Sequence, residues 1–167
     1  GNHDGLIRRL WENIDSYSEH TQLAILNYIR FQSDGYQEEM FAVMQDTKKG
    51  KELRLAAIRY FGRYFYAPAL EPLLAFALDK DLSNWEYATV SASSLARYPG
   101  GRVVDALKEA LHSSNWYIRR SASISLEAHG ENYGSLTDVI VGNDRYAREM
   151  MTYRLESQRL QKAGGES

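Results

Sequence analysis

Ser114-Asn115-Trp116-Tyr117-Ile118-Arg119-Arg120-Ser121-Ala122 echoes Ser83-Asn84-Trp85-Glu86-Tyr87-Ala88-Thr89, which starts 31 residues earlier. Each copy opens a stretch of apolar residues at helical spacing, Asn84 to Arg97 and Asn115 to His129. A period of about 20–50 residues marks arrays in which one supersecondary unit cannot bury its apolar face alone and stacks on its neighbours. Further matches extend the register. Gln22-Leu23-Ala24-Ile25-Leu26 aligns with Arg54-Leu55-Ala56-Ala57-Ile58, Arg63-Tyr64 with Arg97-Tyr98, and Leu95 with Leu126. The offsets drift by a few residues, and the drift falls in the turns.

Apolar residues at i, i+3, i+4 and i+7 recur along nearly the whole chain, and no segment alternates with period two for long enough to be a strand. The spacing predicts an all-α protein in which a longer helix, a tight turn and a shorter helix alternate. The repeats are expected at 18–46, 51–80, 84–113 and 115–141, with flanking helices at 4–14 and 144–162 and a flexible tail at 163–167. Residues 1–162 are thus expected to form a single domain. Ser18 is placed to cap the second helix. Pro68 and Pro72 bracket a helix start, and Pro99-Gly100-Gly101 marks a turn. The last two segments are expected as a weak helix from Tyr133 to Val141 and a charged helix from Asp144 that caps the array. Ala56-Ala57, Ser91-Ala92-Ser93-Ser94 and Ser121-Ala122-Ser123 put small residues mid-helix, where they permit close helix approach.

Composition bounds the function. The chain has 167 residues, a net charge of −2 and no cysteine. Disulfides, thiolate nucleophiles and cysteine metal sites are therefore excluded, and the charge gives no basic surplus for nucleic acid. No apolar run approaches the roughly 20 residues of a membrane helix. The chain opens Gly1-Asn2-His3 without an initiator Met, as a piece of a longer multidomain protein would. The expected location is cytoplasmic, with the soluble domain of a membrane-anchored protein as the alternative.

On the residues quoted above, the chain resembles the HEAT-repeat family, and more closely the HEAT-like repeats of the phycobiliprotein-lyase type. Trp116-Tyr117-Ile118-Arg119-Arg120-Ser121-Ala122, closed by Leu126, carries that pattern of an aromatic, a Val-Arg-like step, an Ala-rich stretch and a Leu. Trp85-Glu86-Tyr87-Ala88-Thr89 keeps the Trp and lacks the Arg, whereas Leu53-Arg54 keeps the step and lacks the Trp. The resemblance runs from about Glu19 to Val141. It implies an armadillo-like helical fold, a right-handed α-solenoid of stacked helical hairpins. For function it implies a scaffold for protein binding, with tetrapyrrole lyase or enzyme-accessory roles and nucleic-acid binding as alternatives. The acidic second helices (Glu38, Glu39, Glu71, Asp105, Glu109, Asp138) argue against a phosphate cradle.

No catalytic motif is present. The histidines (His3, His20, His112, His129) are scattered, so no metal or cofactor is expected and the protein reads as a non-enzyme. A protein or peptide is the expected partner. Arg63-Tyr64 and Arg97-Tyr98, with Tyr66 nearby, are the candidate partner-binding residues, because Arg and Tyr dominate interaction hot spots. Trp85 and Trp116 are expected to pack in the seams between hairpins. On that reading Trp116→Ala costs about 3–5 kcal/mol, as for a core aromatic.

Overall fold

The computed structural model describes residues 2–165, and these contain helices and no strand. None of the helices is long and apolar enough to cross a membrane. The contacts divide the chain into two compact units that meet in sequence at Ala69 and Leu70.

In the first unit, α1 (Asn2–Glu12), α2 (Glu19–Gln32), α3 (Gln37–Gln45) and α4 (Lys51–Arg63) enclose a core. Ser18 caps α2 as the sequence predicts, accepting from the Thr21 N–H at 3.3 Å. The first helix ends at Glu12, two residues short of expectation, and Ile14–Ser16 continues as a 3-10 turn. α4 packs on both α2 and α3. Its fully buried Tyr60 ties the α2–α3 connection, because the hydroxyl donates to the Ser33 carbonyl (3.0 Å) and accepts from the Tyr36 N–H (2.9 Å). Burial pushes the Tyr60 phenol up to about 12, so it holds both bonds as a neutral group.

The second unit contains α5 (Leu70–Ala77), α6 (Trp85–Ser94), α7 (Gly101–Ala110), α8 (Trp116–Ala128), α9 (Thr137–Ile140) and α10 (Arg145–Gly165). α6 ends in a 3-10 turn, Leu95–Arg97. Gly100, at φ 118°, makes the bend into α7 that the Pro99-Gly100-Gly101 signal predicts. The weak helix expected over Tyr133–Val141 shrinks to α9. Asn132 and Ser135 bond reciprocally (Ser135 N–H to Asn132 Oδ1, 3.0 Å; Asn132 N–H to Ser135 Oγ, 2.9 Å) and hold those residues in a turn. α10 stays helical through Ala163–Gly165, where the sequence predicts a tail; Glu166 and Ser167 lie outside the described residues.

The small-residue stretches do what their spacing suggests. Ala88, Ser91, Ala92 and Leu95 of the α6 segment, and Ala122, Ser123, Ser125 and Leu126 of α8, are buried, and these two segments pack together. The Ser125 hydroxyl donates to the Ala92 carbonyl at 2.7 Å, and His129 Nε2 lies 3.0 Å from the Leu95 carbonyl. A large side chain at these positions would push the two axes apart.

Not every buried serine is equally served. Ser91 Oγ is buried with no hydrogen-bond partner, whereas Ser125 bridges two helices. Ser91→Ala removes an unsatisfied hydroxyl and is expected to be neutral or stabilising by about 1 kcal/mol. Ser125→Ala is expected to cost about 1 kcal/mol. Urea unfolding of the two variants checks the opposite signs.

Candidate binding surfaces

The expected site residues separate by environment. In the first unit Arg63 is exposed at the end of α4, and its Nε donates to the Tyr64 hydroxyl at 3.1 Å. Its guanidinium also lies 5.6 Å from the centre of the Phe31 ring, which is 57% exposed at the end of α2. Arg30 sits over the same ring at 4.7 Å. Burial, and then the neighbouring charges of Arg59 and Arg63, lower the Arg30 pKa below its ordinary value. The structure thus gathers Arg30, Phe31, Arg59, Arg63 and Tyr64 into one cationic, aromatic patch, to which Arg30 and Phe31 come from α2. Tyr66 is half-buried and stacks on Phe61 (5.8 Å, 16°), with its ring near the edge of Phe41.

In the second unit Arg97 is exposed, but Tyr98 is only 1% exposed and packs as a core residue. The two Arg-Tyr pairs align in sequence and differ in burial, because each tyrosine follows the packing of its own helix end.

The two tryptophans part ways: Trp85 packs against the next long helix, and Trp116 departs from the seam packing expected of it. Trp85 is half-buried and tilts against Tyr117 (5.4 Å), while Trp116 is 50% exposed and meets Tyr117 edge-on at 5.2 Å. The reason is angular. Ile118, Ala122 and Leu126 define the buried face of α8, and a residue two positions before Ile118 is turned about 200° away from it. Trp116 therefore faces outward, into a groove of about 310 Å³ between α8 and α10. Trp116, Arg119 and Arg120 line it from α8; Tyr146, Glu149, Met150, Tyr153 and Arg154 line it from α10. Tyr146, Met150 and Tyr153 follow one another at i, i+4 and i+7, so α10 carries a second face besides its buried Ala147, Met151 and Leu155.

Two anchors fix this groove. Asn115 caps α8, its Oδ1 accepting from the N–H groups of Tyr117 (2.8 Å) and Ile118 (3.1 Å). Asp144 caps α10 in the same way, through Tyr146 and Ala147, and its other oxygen holds His112 Nδ1 at 2.7 Å. The His112 hydrogen bond, followed by the Ala147 N–H, holds the Asp144 carboxyl below the usual carboxylate range. The His112–Asp144 pair ties the turn after α7 to the start of α10. No group of three or more His, Cys, Asp or Glu residues could hold a metal ion among the described residues.

No family model matches the chain, and no curated protein matches it.

Because the folded Asp144 pKa is depressed, its stabilising contribution is complete above the unfolded carboxylate value of about 3.9 and fades as pH falls through the lower folded value. Asp144→Ala is expected to cost about 1 kcal/mol at neutral pH through the lost cap. It should also flatten the acid limb of the stability curve. Denaturant titrations of both proteins between about pH 7 and pH 2 check both effects.

Proposed function

We propose that the protein is a non-catalytic scaffold that binds a protein or peptide partner, built as a right-handed, HEAT-like solenoid of helical hairpins. The observation that carries this reading is the groove between α8 and α10, which keeps Trp116, Tyr146 and Tyr153 between 50% and 66% exposed. Contiguous exposed aromatics beside arginines are the composition of an interaction hot spot rather than of an idle surface. The repeat pattern adds support. Arg54, Arg119 and Arg148 each stand four residues after a helix N-cap and donate to a carbonyl at the end of the preceding segment, Met44, Ser113 and Gly142, all at 2.9 Å. A local bond that recurs at one register position in three segments supports a reading of the segments as repeated hairpins. The patch around Arg63 and Tyr64 is the secondary contact surface in this reading.

A selection of displayed random peptides against the protein, with Trp116→Ala/Tyr146→Ala as the counter-target, tests the groove. Peptides are expected that bind the parent protein and lose about tenfold or more in affinity on the double variant. The variant itself should melt within a few degrees of the parent, because the replaced rings are half in water. If every selected peptide binds both proteins equally, the groove is not the docking site.

A further inference from the structure

Arg119, Arg120 and Arg154 bring three guanidiniums to the groove, and Glu149 is the one carboxylate among its lining residues. Glu149 is already engaged by Arg145 at 2.9 Å, one helical turn away on α10. None of the three arginines has a carboxylate within ion-pair distance among the described residues. Arg119 is only 7% exposed. One of its terminal nitrogens donates to the Ser113 carbonyl (2.9 Å), its guanidinium lies 5.2 Å from the centre of the Tyr146 ring, and its Nε is buried with no acceptor. The Nε of Arg154 is likewise buried and unpaired. Two guanidiniums on one groove are therefore partly stripped of water without the anion that normally compensates such burial.

We infer that the groove takes an acidic segment of a partner protein, with a carboxylate set against the arginines that line it and an apolar side chain seated among Trp116, Tyr146 and Tyr153. This rests on the protein-binding reading above and adds the chemistry of the partner. Arg presents five donors in a planar fork that matches a carboxylate bidentately, so terminal nitrogens left unused by the Ser113 bond are suited to it. Each new charge-assisted bond forms where the guanidinium has already lost much of its hydration, which is the setting in which such bonds count most. The aromatic walls give the segment an apolar anchor that a bare anion lacks. A single-stranded nucleic acid would also value arginines and stacking rings, but its affinity grows with the number of phosphates neutralised along a track. Here the cations are confined to one groove of a chain whose net charge is −2.

Fluorescence anisotropy with short labelled peptides tests the inference. One peptide carries Glu and Asp around a Leu and a Phe; the second replaces the acids with Gln and Asn; the third replaces them with Lys. The acidic peptide is expected to bind at least about tenfold tighter than its amide counterpart, with the basic peptide weakest and the difference shrinking as salt rises from about 50 to 300 mM. Arg120→Glu, an exposed position, is expected to erase that preference, whereas Arg9→Glu, exposed on α1 and outside the groove, should leave it intact. Equal binding of the acidic and amide peptides overturns the inference, as do equal losses in the two variants or displacement of the acidic peptide by single-stranded oligonucleotide. Peptides that need Trp116 and Tyr146 but show no acid preference would leave the scaffold reading standing and remove only the acidic partner.

Discussion

Arg54, Arg119 and Arg148 make the contact on which the rest of the structure depends. A segment that ends in a helix or tight turn leaves carbonyls with no intrahelical partner, and a cation there satisfies both the lone pairs and the negative end of the helix dipole. By reaching back from the first turn of the next helix, each arginine fixes the angle at which the chain re-enters. In α2 the same position holds Gln22, whose Nε2 donates to the Tyr17 carbonyl at 2.9 Å, and α6 is tied in another way. In α6, Ala88 stands four residues after the N-cap Asn84, and the connection from Asp79 to Asn84 ties itself instead. Asn84 Nδ2 donates to Asp79 (3.0 Å), and the Ser83 N–H donates to Asp81 (3.0 Å). Gly142 belongs to the same arrangement. A Cβ there would come within 2.7 Å of the Asp138 carbonyl oxygen, so the tight approach that presents the Gly142 carbonyl to Arg148 needs a residue without a side chain.

Much of the local architecture was legible. Ser18 was readable as a cap from its place before apolar periodicity, and the Ala- and Ser-rich stretches were readable as close-packing surfaces because small residues have little other reason to cluster mid-helix. The four-residue α9 was less legible, since the reciprocal Asn132–Ser135 turn competes with helix locally and propensity alone does not decide between them.

The groove was missed for a different reason. Residue type and place in the repeat put Trp116 in a seam, whereas its angle relative to Ile118, Ala122 and Leu126 turns it outward. The second face of α10, Tyr146, Met150 and Tyr153, was likewise present in the spacing and was absorbed into the picture of a capping helix. Tyr98 illustrates the opposite limit. Arg63-Tyr64 and Arg97-Tyr98 are identical dipeptides at matching positions, yet one tyrosine is half-buried beside an exposed phenylalanine and the other is enclosed. Burial is set by the neighbours a helix end acquires, and a dipeptide carries no record of them.

The unpaired Nε atoms of Arg119 and Arg154 carry a consequence for how this sequence can change. Both are points of local frustration, but Arg119 also holds the Ser113 carbonyl, so it is at Arg154 that a hydrophobic residue of similar volume would leave the free fold more settled. Drift toward greater stability would therefore erode the groove first, while the Ser- and Ala-lined contact between α6 and α8 would resist it. Retention of Arg154 in a diverging lineage would then record selection for something other than folding.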